Sequence, residues 1–226
     1  MPDGRVPDRA ESAGTSPTVE FATVATPPDP TVTVLPDDAG DLLLPAARTA
    51  IAQTLGVTSH TATHAHTGPP PAWALEPGAS FVTLTKDGRL RGCIGSLAAR
   101  RPLLGDVRAN AVAAATRDPR FAPMTPAELP AVAIEVSVLS VPRPLQVSSL
   151  REAYATLRPG VDGVILETGT GHRSTFMPQV WRTLPDPAQF LGHLWLKAGV
   201  VPGVWYEGTT LRTYTVRAWH EAPGEG

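Results

Sequence analysis

Apolar residues recur along this chain first at a helical period and then in strict alternation, and the changes of period mark out its elements. Leu44, Ala47, Ile51 and Leu55 fall at helical spacing, with Asp41 placed to cap the start and Gly56 to end it. Phe81–Lys86 and Arg89–Leu97 read as two strands joined by Asp87-Gly88, the strongest short signal for a hairpin. Pro102 opens a helix through Val107, Ala111 and Ala115, which Asp118-Pro119 stops. Thr125-Pro126-Ala127-Glu128 has the spacing of a capping box with proline at the first helical position. In the next segment Val132, Ile134, Val136 and Val138 alternate with Ala133, Glu135, Ser137 and Leu139, which predicts a strand with one apolar face. Ser149-Leu150-Arg151-Glu152 opens another helix. Gly163–Thr168 and Ser174–Met177 read as strands joined by Gly169-Thr170-Gly171, and Asp186-Pro187 starts a helix that Gly199 ends. Leu211–Trp219 reads as one final strand.

Mixed helices and hairpins predict an α+β fold with a mixed or antiparallel sheet and flanking helices. Residues 1–38, rich in Pro, Asp, Thr and Ser without periodicity, read as a disordered leader. Residues 39–220 read as the folded domain and 221–226 as a flexible tail. The chain has 226 residues, 42% of them hydrophobic, enough for a sizeable core. With 19 basic and 21 acidic residues the net charge is −2, which disfavours general attraction to nucleic acid. No apolar run suits a signal peptide or a membrane span, and the one cysteine excludes an internal disulfide, so a cytoplasmic location is expected.

That cysteine, Cys93, stands between Gly92 and Gly95 in the second strand of the hairpin. Pairing through a two-residue loop sets Lys86 against Arg89, Leu84 against Arg91 and Val82 against Cys93. Alternation then puts Arg89, Arg91, Cys93 and Gly95 on one face. Guanidinium groups beside a thiol favour the thiolate, the nucleophilic form. On this reading Cys93 is a catalytic candidate, and Arg89 and Arg91 form the basic lip of a cleft. The glycines let a ligand or backbone approach, and they also suggest a bulge. The alternative is a small buried core residue, the commoner fate of a free cysteine.

Glu135 lies mid-strand opposite the aliphatic face, as an acid–base candidate, an acceptor for Arg91 or Arg89, or a solvated strand residue. Asn110, Asp118 and Arg120, at and after the central helix, are candidates for substrate binding or for helix termination with an internal ion pair. His193 on the late helix is an acid–base candidate against a packing role, with His172 behind it. His60, His64 and His66 cluster in a Pro-rich connection with nothing to fix a metal geometry, so no metal site is assigned. Nucleophile elbows, zinc-protease helices and phosphate loops are absent from the sequence.

The run Leu90-Arg91-Gly92-Cys93-Ile94-Gly95-Ser96-Leu97 resembles the hallmark of the AMMECR domain family, whose microbial members are labelled AmmeMemoRadiSam system protein A. The resemblance continues through Asn110-Ala111, Asp118-Pro119-Arg120-Phe121 and Glu135–Ser140. It resumes at Pro159–Val164, Phe176–Val180, Phe190-Leu191 and Lys197-Ala198-Gly199, in family order from about Asp41 to Trp219. It implies two tightly packed subdomains around a cleft lined by the Cys93 segment. It further implies a radical-SAM protein and a Memo-like protein as partners. It supplies no reaction and no cofactor. Two functions fit: a component of a modification system using a Cys93-containing basic cleft for a small anionic or peptide ligand, or a non-catalytic adaptor in which Cys93 only packs.

Overall fold

Asp87 and Gly88 take positive φ values of 51° and 71°, the left-handed pair with which a two-residue loop matches the twist of its strands. They join β1 (Pro77–Lys86) to β2 (Arg89–Gly95). The computed structural model describes residues 35–57 and 68–221; His60, His64 and His66 lie outside them. The first sheet runs in the order β2, β1, β4 (Val132–Leu139) and then the chain's last strand, with the short β3 (Arg101–Pro102) against the start of β1.

The alternation of β4 is realised: Val132, Ile134, Val136 and Val138 are buried, with Val82 and Leu84 of β1 beside them. Helix α1 (Gly40–Thr54) brings Leu43, Ala47 and Ile51 to this core. The short α2 (Ala72–Leu75) adds Ala74, and α3 (Leu103–Thr116) adds Val107, Ala111 and Ala114. Each of the larger aliphatics buried here contributes roughly 1.5–3 kcal/mol of transfer free energy. Asp41 does not cap α1. The helix starts at Gly40, continuing from a 3-10 turn at Asp37–Ala39, which leaves Asp41 inside the first turn. Leu35 packs on the same core and Asp37 pairs with Arg217. Ordered contacts therefore reach into the stretch expected as leader.

A second sheet is ordered β5 (Arg143–Leu145), β8 (Thr210–Tyr214), β6 (Gly163–Glu167), β7 (Arg173–Phe176). Its core gathers Leu166 and Leu211 with Trp181 and with Phe190, Leu191, Leu194 and Trp195 of α5 (Pro187–Lys197), and Ala153 of α4 (Leu150–Thr156). Ser149 and Asp186 accept the N–H groups of Glu152 and Gln189 and so cap α4 and α5. Every strand pair among the described residues is antiparallel.

One two-stranded ribbon joins the sheets. β4 pairs with β9 (Val216–His220) in the first sheet, and the same two chains continue as β5 and β8 in the second. At the crossing the Ser140 N–H donates to the Thr215 carbonyl and the Thr215 N–H to Ser140 Oγ, each at 2.9 Å. The expected single strand Leu211–Trp219 is thus two strands broken at Thr215, because each half pairs in a different sheet. A third core of Ala79, Phe81, Leu139, Ile165 and Tyr214 fills the joint.

Candidate functional site

The hairpin register departs from simple pairing after two residues. Lys86 stands against Arg89 and Thr85 against Leu90, but Leu84 stands against Gly92 and Thr83 against Cys93. Arg91 is therefore the extra residue of a β-bulge, and Leu84–Arg91 and Val82–Cys93 are not partners. The physical reason lies across the sheet. A Cβ on Gly92 would meet the carbonyl oxygen of Ala114 at 2.2 Å, so α3 rests directly on the backbone of β2 at this point. Only glycine permits that approach, and the bulge turns it towards the helix.

Because paired residues share a face, Arg89 follows Lys86 to the α3 side of the sheet and lies exposed at the hairpin end. Arg91 makes a two-pronged pair with Glu128 (Nε–Oε1 3.0 Å, Nη2–Oε2 3.2 Å) and donates to the Ala122 carbonyl. That pair, helped by the Thr125 N–H, holds the Glu128 carboxyl down to about 2. Neither guanidinium forms a lip around the thiol, and neither pairs with Glu135.

Cys93 instead belongs to a row crossing the opposite face: Cys93 on β2, Thr83 on β1, Glu135 on β4 and His220 on β9. The Thr83 hydroxyl donates to Cys93 Sγ at 3.4 Å. Glu135 accepts the Ser137 hydroxyl at 3.1 Å, and its other oxygen lies 3.6 Å from His220 Nδ1. Cys93 packs against the joint core, and burial pushes its thiol up from the ordinary value. The Thr83 hydroxyl and Arg120 pull it down less strongly. At neutral pH it is a thiol.

β2 is a sheet edge, and the Asp118-Pro119-Arg120-Phe121 turn covers it at Cys93. Asp118 accepts the Cys93 N–H at 2.8 Å and two prongs of Arg120 at 2.9 and 2.7 Å, while Arg120 Nη2 donates to the Cys93 carbonyl at 3.3 Å. The Arg120 contact is the largest reason that the Asp118 carboxyl is held down to about 2. Phe121 lies under the guanidinium groups of Arg91 and Arg120, 5.9 and 5.5 Å from its ring centre. Asn110 is buried elsewhere. Its amide donates to Ser80 and to Asp106, and Asp106 also accepts from Ser80, Ser96 and Arg101. This network ties α3 to β1.

Beside the row a cleft of about 620 Å³ opens between the two sheets. Thr83, Glu135, Ser137, Ala218 and His220 line its first wall; Gly160, Gln179, Trp181 and Arg182 belong to the second. Cys93 is not among the lining residues and lies beside Thr83 on the neighbouring strand, at the end of the row away from His220. The second wall is built by the turn before β6 and by a 3-10 helix, Pro178–Arg182. The Trp181 indole N–H donates to the Asp162 carbonyl at 2.7 Å, and its ring stacks on Phe190 at 3.8 Å. His193 is on the exposed side of α5, and His172 bonds the Ala198 carbonyl, so neither reaches the cleft. Among the described residues there is no group of three or more His, Cys, Asp or Glu able to hold a metal ion.

Of the residues singled out from the sequence, Glu135 lies on the cleft wall and Cys93 lies off it, while Thr83, Ser137, His220 and Arg182 line the cleft without having been singled out. Period-two alternation does place Thr83 and Ser137 on defined strand faces. No local signal places β9 beside β4 or brings the 3-10 helix across to face them.

Two antiparallel sheets sharing one ribbon, with a cleft at their joint, define an α+β protein of the two-subdomain kind. The chain belongs to the AMMECR1 family, whose family model matches residues 44–219. It is 43% identical over 146 residues to a protein of Methanothermobacter thermautotrophicus, covering 62% of this chain and 74% of that one. A Methanocaldococcus jannaschii protein is 36% identical over 146 residues, covering 62% and 70%. Among solved structures, an uncharacterised Pyrococcus horikoshii protein superposes with a TM-score of 0.70 at 31% identity, covering 85% of this chain and 96% of that one. No helix among the described residues is long and apolar enough to cross a membrane.

Proposed function

We propose that this chain is a component of a modification system, working with a radical-SAM protein and a Memo-like protein, and that it acts by binding a small ligand or peptide in the cleft between its sheets. The observation that carries the reading is the row Thr83–Glu135–His220 along one wall of that cleft, with the Cys93 thiol beside Thr83. A half-exposed carboxylate held by Ser137 beside an imidazole is a pair suited to moving a proton at a bound ligand. In this reading Glu135 is the acid–base group. Cys93, a thiol at rest and off the cleft lining, supports Thr83 and takes no direct part in the chemistry.

The adaptor reading is favoured by one observation: Asp118 and Arg120 hold the backbone of Cys93 while burial keeps its thiol protonated, as a packing role requires. There the same cleft binds without chemistry. Co-expression with the two partners tests what both readings share. Ala218 lines the cleft and is exposed, so Ala218→Trp fills it from the rim. The expected result is co-purification of at least one partner or of a ligand with the native protein, lost in Ala218→Trp. Recovery of neither partner and no ligand would sink the proposal.

A further inference from the structure

The two walls of the cleft carry opposite charge. Glu135 stands on the sheet wall with 43% of its side chain exposed, and Arg182 stands on the facing wall at the end of the Pro178–Arg182 helix. Arg182 is exposed and makes no ion pair among the described residues, and Glu135 accepts from Ser137 and lies 3.6 Å from His220 Nδ1, with its charge also felt at Cys93. Two opposite charges lining one gap but not paired across it leave the attraction to whatever enters. Gln179 on the second wall and Ser137 and Thr83 on the first add neutral donors and acceptors. A volume of about 620 Å³ lies within the roughly 300–1,000 Å³ of small-molecule sites.

We infer that the cleft takes a short zwitterionic ligand, an amino acid or an unblocked dipeptide. Its ammonium group would lie at Glu135 and its carboxylate at Arg182. A guanidinium is the better group for the carboxylate end because its planar fork matches two oxygens at once. The ammonium end needs an acceptor-only group open to the gap, and Glu135 supplies it, oriented by Ser137. A dianion would leave the Glu135 end repelled, and a dication the Arg182 end. This inference rests on the reading of the cleft as the ligand site and names the ligand's chemistry.

Calorimetry on the full chain tests it with glycine, glycylglycine, N-acetylglycylglycine and glycylglycinamide. Glycine or glycylglycine is expected to bind, the better of the two reporting amino acid or dipeptide. Acetylation and amidation should each weaken binding at least about tenfold, the loss of one charged contact of ~1.4 kcal/mol. In Glu135→Gln the penalty for acetylation should vanish while that for amidation remains, and Arg182→Gln should show the converse. A merely structural role for either residue would weaken all four probes alike. Equal binding of blocked and free forms, or binding of none, overturns the inference. Inorganic phosphate binding that depends on Arg182 alone would also overturn it, while leaving the cleft as the ligand site. The cleft itself is tested separately, by co-purification with the native chain and Ala218→Trp.

Discussion

The Asp118 carboxylate accepts the backbone N–H of Cys93 at 2.8 Å while Arg120, gripped by the same carboxylate, donates to the Cys93 carbonyl. One side chain and its neighbour thus occupy both hydrogen-bonding groups that an edge strand would otherwise leave open. Asp118, expected at a substrate rim, is 4% exposed and closes the sheet edge behind the cleft.

Asp118→Asn should therefore cost about 1.5–2 kcal/mol at neutral pH, the lower part of the range for hydrogen bonds to charged groups because Arg120 is partly exposed. The sign of the pH dependence follows from the depressed carboxyl. Its contribution is complete above the ordinary value of 3.8 and is lost as pH falls towards 2. Urea titrations at neutral pH and across that acid window should show the gap between native protein and variant narrowing only within it. A gap constant with pH would contradict the ion pair.

Gly92→Ala should destabilise by about 3 kcal/mol, since its Cβ would sit 2.2 Å from a helix carbonyl oxygen that cannot move alone. Gly105→Ala in α3, whose added Cβ would meet nothing within 4 Å, should instead stabilise by roughly 0.5–1 kcal/mol. Thermal melts of the two variants read both signs. A neutral Gly92→Ala would contradict the close seating of α3 on β2.

Iodoacetamide should label Cys93 in the native protein at neutral pH more slowly than in the unfolded chain, because burial raises the thiol. Arg91→Met should leave the rate unchanged, since Arg91 pairs with Glu128 on the other side of the bulge. Thr83→Val should slow it further by removing the hydroxyl that donates to sulfur. A native thiol labelled faster than the unfolded one would restore the thiolate reading.

The turn chemistry of Asp87-Gly88, the caps at Ser149 and Asp186 and the alternation of β4 were legible because each is decided within a few residues. The register beyond Leu84 was not, because the bulge answers to α3 lying on Gly92, a contact 22 residues away in sequence. The same holds for the face opposite the β4 aliphatics. Glu135 is identifiable as a carboxylate within a strand. Its company of Thr83 and His220 comes from pairings spanning 52 and 85 residues. Arg182 carries no local mark at all; only the second subdomain's fold sets it across from Glu135.

We propose above all that the cleft between the sheets is where this protein binds its ligand. Mass spectrometry of small molecules released from the purified native chain, Ala218→Trp and His193→Ala tests it most directly. His193 serves as the control, exposed on α5 and not among the cleft-lining residues. A ligand should be retained by the native chain and by His193→Ala and lost from Ala218→Trp, with all three equally folded. The same bound species in all three proteins, or none in any, would contradict it.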